Sequence, residues 1–131
     1  MALPNGSGGY QFTDGNLNEI VMGTQAAPIA KTAAATLTTA ELANGIITYN
    51  GAVANLTTPT GVEMDAAFSS MKVNSCFDIF INNIGSTNTV TLAGGTGVTL
   101  NGVGTVVAGA ACNFRARKSG DGTYVFNRIA G

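Results

Sequence analysis

The side chains that do most protein chemistry are thin on this chain. It has no histidine, two cysteines (Cys76 and Cys112), and seven carboxylates against six basic residues. Without an imidazole the Ser-His-Asp and Cys-His arrangements cannot be built, and general-base catalysis near neutral pH loses its usual agent. Glu63 and Asp65 stand close enough to suggest an acid–base pair. Thr60, however, precedes Glu63 at the capping-box spacing, so Glu63 is expected to close a helix N-terminus and Asp65 to sit in solvent. Neither cysteine has an activating base nearby. Both lie in β-like runs with apolar neighbours and are expected as buried free thiols.

Ligand sites fare no better. With only those thiols and no imidazole, a four-ligand zinc site lacks soft ligands. Asp14, Asn16, Asn18 and Glu19 offer oxygen atoms without the spacing of a calcium loop. The run from Gly94 to Leu100 lacks the Gly-Lys-Ser/Thr of a phosphate loop and leads into a strand, not a helix. Tyr10, Tyr49 and Tyr124 could stack on sugars, but the chain has no tryptophan and a tyrosine serves equally in a core. The reading is of a protein that is not an enzyme and takes no cofactor or metal.

The elements around these residues are short. From Asn74 to Ile129 apolar, β-branched and aromatic residues come in brief runs, each ended by Gly, Asn, Ser or Asp. That is the pattern of strands joined by tight turns. Phe77, Ile79 and Ile81 share one face, with Asp78 and Asn82 opposite, and Cys76 and Phe80 share that second face. Val98–Leu100 and Val103–Val107 flank Asn101-Gly102, which predicts a two-residue hairpin. Cys112, Phe114 and Ala116 alternate with Asn113, Arg115 and Arg117 before a turn at 119–122 and a return strand.

Upstream, Thr38/Glu41 and Thr60/Glu63 predict two short capped helices, the second burying Val62, Ala66 and Phe68. Strands are expected at Ala35–Leu37, Ile46–Tyr49 and Asn55–Thr58. The sum is an all-β body, an antiparallel β-sandwich or jelly roll of eight to nine strands with two helical turns. A near-repeat, Thr-Val-Thr-Leu then Gly-Val-Thr-Leu, also occurs in solenoids but stands alone here.

Residues 1–33 carry no strand alternation or helix period and are punctuated by Pro4, Pro28 and several Gly pairs. They read as an extended arm, with 34–131 as the β domain. Ordering such an arm costs about 1–2 kcal/mol per residue, so it needs a surface to dock on.

Only 10% of the chain is charged, well below the usual quarter or so. So thin a polar coat suggests surface covered by copies of itself or by a partner. The net charge of −1 leaves no footprint for nucleic acid. Arg115, Arg117, Lys118 and Arg128 gather near the C-terminus and are expected on solvated strand faces. No apolar run is long enough for a membrane span, and the first residues lack signal-peptide features, so synthesis and folding in a cytoplasm are expected.

Three phrases, ALPNGSGGYQFTDGNLNE, TLTTAELANGIITYN and NFRARKSGDGTYVFNRI, resemble small structural proteins of tailed bacteriophage virions, above all capsid decoration (cement) proteins. The resemblance implies a β-sandwich or jelly-roll body, commonly trimeric, on the outer surface of the head, with arms gripping the major capsid protein. On that reading Leu3, Tyr10, Phe12, Leu17 and Ile20 anchor the arm, and several weak contacts per oligomer sum to a tight grip. The rival classes are a fibre or receptor-binding head recognising host glycan, and a tail or neck connector.

Overall fold

The computed structural model describes residues 22–131. The anchors Leu3, Tyr10, Phe12, Leu17 and Ile20, together with Asp14, Asn16, Asn18 and Glu19, lie outside the described residues. Strands hold 45% of the structure and helices 12%, in two sheets and no barrel, so the protein is all-β. The order is β1 (Ile29–Lys31), β2 (Ala35–Thr36), α1 (Thr39–Asn44), β3 (Ile46–Tyr49), β4 (Ala54–Thr57), α2 (Gly61–Ala67), β5 (Cys76–Asn83), β6 (Val90–Ala93), β7 (Val98–Asn101), β8 (Thr105–Val106), β9 (Ala111–Gly120) and β10 (Thr123–Ala130). One sheet runs β1-β3-β5-β9-β10-β7 and the other β2-β4-β6-β8.

The expected antiparallel pairing is corrected. β1 with β3, β3 with β5, β10 with β7, β2 with β4 and β4 with β6 are all parallel. Antiparallel pairs are β5 with β9, β9 with β10, and β6 with β8. Through β6 the chain climbs one sheet, crosses, descends the other and returns, so each strand lands beside its predecessor pointing the same way. Parallel neighbours need a long crossover, and here a strand of the opposite sheet supplies it. The eight antiparallel strands of a jelly roll are not this pairing, and the described residues alone hold ten strands where eight or nine were expected.

Stacking puts like on like. Ile29, Ile47, Ile81 and Cys112 form one inward row, and Leu56 sits against Leu92 in the other sheet. The inward residues of both sheets make one core, in which Ile47, Tyr49, Leu56, Met64, Ile79, Phe114 and Phe126 are fully buried. The Asn101-Gly102 hairpin does not form: Gly102 has the expected positive φ (93°), but its turn carries the chain from one sheet to the other. The near-repeat likewise falls on β6 and β7, in different sheets.

Both capping boxes are present. Thr38 and Thr60 accept from the N–H of Glu41 and Glu63, whose carboxylates accept from the threonine N–H groups in return. Gly45, left-handed at φ 94°, ends α1 and frees the chain to enter β3. The buried face of α2 is Gly61 and Met64, while Val62 is 72% exposed. This corrects the expected face: the Cβ of a side chain at 61 would stand 1.9 Å from the Gly122 carbonyl oxygen, and that close approach turns Met64 inward. The last residues of the expected arm, Ile29–Lys31, are an edge strand of the larger sheet. Pro28 stands just ahead of it, where its missing N–H costs no ladder bond.

Candidate interaction site

Strand directions place the connections at two opposite ends. The loop end holds 32–34, 50–53, 84–89 and 107–110, and the helix end holds α1, α2, 68–75, 94–97 and the turn at 121–122. Thr58 and Asn83 are the buried polar residues among those described, each about 1% exposed, and each ties one end together.

Asn83 continues the inward series of Phe77, Ile79 and Ile81 in β5. Its Nδ2 donates to the carbonyls of Asn88 (2.8 Å) and Val106 (2.9 Å), and its Oδ1 accepts from the Gly85 N–H (3.1 Å). The backbone of 83 adds Gly109 N–H to its carbonyl and its own N–H to Ala110 O, both 2.9 Å. Asn88 Nδ2 then reaches the Gly51 carbonyl at 2.9 Å, and a Cβ at Gly51 would stand 2.0 Å from Thr32 O. Four loops far apart in the chain are thus one rigid surface. None of their residues carries a charge, and Val53, Ile84 and Val107 stand 72%, 56% and 59% exposed on it.

The helix end is concave and charged. A groove of about 400 Å³ opens between α1, the segment after α2 and the start of β5, floored by Leu42, Phe68, Met71 and Phe77. Phe68 and Phe77 meet at 5.3 Å between ring centres. Asp65, expected in solvent, instead locks α2 to the β9–β10 turn. It accepts from the Gly122 N–H (2.6 Å), the Tyr124 hydroxyl (2.8 Å) and Lys118 Nζ (3.0 Å). Thr58 Oγ1 accepts from Gly95 N–H at 2.8 Å and donates to Pro59 O at 3.0 Å.

The outer face of the larger sheet carries Asp78 directly across from Arg115, joined by two hydrogen bonds of 2.7 and 3.0 Å. Arg117 donates to Asn74 Oδ1 at 2.8 Å, and Asn74 holds a left-handed turn at φ 76°, a conformation asparagine tolerates. Arg128 lies over Phe114 and donates to the carbonyls of Val103, Thr105 and Gly131. The four basic residues are therefore each engaged within the fold. Cys76 is exposed on this outer face while Cys112 is buried, and both are free thiols. The expectation of two buried thiols fails for Cys76 because Phe77, Ile79 and Ile81 take the inward positions. Tyr49 and Tyr124 are core residues, 0% and 1% exposed, which removes them as sugar platforms.

Among the described residues no three acidic, cysteine or histidine side chains gather as a metal site, and no helix is long and apolar enough to cross a membrane. No protein-family model matches the chain, and neither a curated protein nor a solved structure does.

The carboxylates give the fold a defined acid limb. Hydrogen bonds from Lys118, then Tyr124 and Gly122, hold Asp65 below its ordinary 3.8, and Arg115 does the same for Asp78. Burial pushes Glu41 up, but Lys31 (2.7 Å away) and the Thr38 N–H bring it below 4.5. Groups whose folded pKa is depressed add stability above the unfolded value and lose it as pH falls through the folded one. The melting temperature should therefore hold from about pH 7 to 5 and fall from about 4.5 downward. Asp65→Asn should start lower at pH 7 and lose less over the acid interval. An acid limb identical in the variant would show that Asp65 does not contribute to it. Burial and then the Asp65 hydrogen bond raise the Tyr124 pKa above its ordinary 10.0, so that hydroxyl stabilises the fold below about pH 10 and the contribution is lost as it ionises.

Proposed function

We propose that this protein is a non-catalytic structural component of a tailed-phage virion. In this reading it decorates and stabilises the head by binding the major capsid protein as an oligomer, a trimer by the family resemblance, on the outer surface. The observation that carries the reading is the charge-free aliphatic loop end held rigid by Asn83. A stiff, uncharged surface can be buried against another protein without stripping water from ions. The scarcity of charge in the whole chain and the absence of histidine support the same reading. A glycan-binding head would use tyrosines that stand free, and Tyr49 and Tyr124 do not.

The test is co-sedimentation with empty heads assembled from the major capsid protein of the same phage. The full chain should bind in a fixed ratio to capsid subunits, and a chain lacking residues 1–21 should bind at least tenfold more weakly. Cutting there leaves β1 in place, whereas removing all of 1–33 would strip an edge strand from the sheet. Stoichiometric binding by the shortened chain would remove the arm from the mechanism, and no binding by the full chain would end the capsid reading.

A further inference from the structure

An asparagine followed by glycine is open to one reaction that needs no enzyme. With no Cβ on the glycine, its amide nitrogen can reach the asparagine Cγ and displace ammonia. Three such pairs fall among the described residues, Asn44-Gly45, Asn50-Gly51 and Asn101-Gly102, and the fold treats them differently. The Asn44 amide is held at both ends: Nδ2 donates to Ala27 O at 3.0 Å, and Oδ1 accepts from Gln25 Nε2 at 3.2 Å. The Gly45 N–H is itself engaged by Leu42 O at 3.1 Å. Gly51 is wedged, since a Cβ on it would stand 2.0 Å from Thr32 O, and its carbonyl accepts from Asn88. Neither glycine nitrogen can swing onto its asparagine without breaking these contacts.

Asn101-Gly102 carries none of those restraints. Residues 101–103 are all exposed. Asn101 ends β7, an edge strand paired with β10 alone, and Asn101 with Asn127 is the last pair of that ladder. A strand end with exposed, one-sided pairing opens locally at low cost. Among the described residues the Asn101 side chain makes one hydrogen bond, Nδ2 to Asn127 Oδ1 at 3.0 Å, and the Gly102 N–H makes none. We propose that Asn101, alone of the three, is a site of self-modification in the folded protein. The Gly102 nitrogen gives up its proton to hydroxide and bonds to Asn101 Cγ, and the side-chain nitrogen leaves as ammonia. Water then opens the five-membered succinimide to aspartate or isoaspartate. Each event adds a negative charge to the outer face of the larger sheet. The isoaspartate form also lengthens the main chain by a methylene just ahead of Gly104, where a Cβ would stand 2.0 Å from Leu92 O. The inference is independent of what the protein binds.

The test ages the full chain in warm, mildly alkaline buffer. Trypsin separates Asn101, in fragment 73–115, from Asn44 and Asn50, in fragment 32–72, and tandem mass spectrometry reads the gain of about one mass unit at each asparagine. In the folded protein Asn101 should convert at least tenfold faster than either of the others, at a rate that rises with pH. In urea the three should convert at similar rates, which assigns the selectivity to the fold. Asn101→Gln, whose longer side chain closes the ring far more slowly, should abolish the fast conversion with circular dichroism unchanged. Conversion at Asn101 no faster than at Asn44 or Asn50 in the folded chain would overturn the proposal. So would a tenfold preference that persists in urea, because the sequence around Asn101 would then explain it without the structure.

Discussion

Phe126→Ala should lower the unfolding free energy by about 3–5 kcal/mol, a large share of the roughly 5–15 kcal/mol that such a domain has. Phe126 is fully buried and sits in the row Phe77, Ala116, Phe126, Leu100 across β5, β9, β10 and β7. Its ring meets Phe77 edge-on at 6.3 Å and 86°, and Phe77 in turn leans on Phe68. The small side chain of Ala116 is what leaves room for the ring. Removing the ring therefore opens a cavity walled by two hydrogen-bonded ladders that cannot move together to fill it. Chemical denaturation should show the midpoint falling with little change in slope, and Phe126→Leu should keep about half of the loss from appearing. Because Phe77 and Phe68 also floor the groove, the alanine variant should loosen the helix end before the loop end. A loss under about 1 kcal/mol would mean the core relaxes around the site.

That row was half legible in the sequence. Alternation put Phe77 and Ala116 on apolar strand faces, and the threonine-glutamate spacing located both helices, because these signals are local. Pairing direction is not local. A run such as Ile46–Tyr49 has the same period whether its neighbour is parallel or antiparallel, and only the path through the opposite sheet decides. Asn101-Gly102 shows the same limit: a left-handed glycine is needed at many turns, and the hairpin reading took the commonest.

The candidate site was less legible for the same reason. Val53, Ile84 and Val107 lie in three loops whose assembly depends on the parallel stacking, so no window of sequence contains the surface. Asn83 did leave a signal. It falls two residues after Ile81, on the inward face, where an amide must find partners. Asp65 left none, since Lys118 and Tyr124 approach it from a hairpin more than fifty residues on.

Asn83→Leu should cost on the order of 3 kcal/mol and loosen one end of the molecule selectively. The substitution leaves the carbonyls of Asn88 and Val106 and the N–H of Gly85 without their side-chain partner. Each buried group so orphaned costs about 1–3 kcal/mol unless water reaches it. Amide hydrogen exchange should speed up in 84–89 and 107–110 while amides of α2 and the 121–122 turn keep their protection. Asn83→Asp separates the hydrogen bonds from the shape: it preserves the acceptor for Gly85 but points a carboxylate oxygen at two carbonyls. It should be nearly as damaging as leucine at neutral pH and recover in part where the carboxyl is protonated. Uniformly faster exchange at both ends would make Asn83 a residue of general stability; exchange confined to the loop end would make it the positioning residue for that surface.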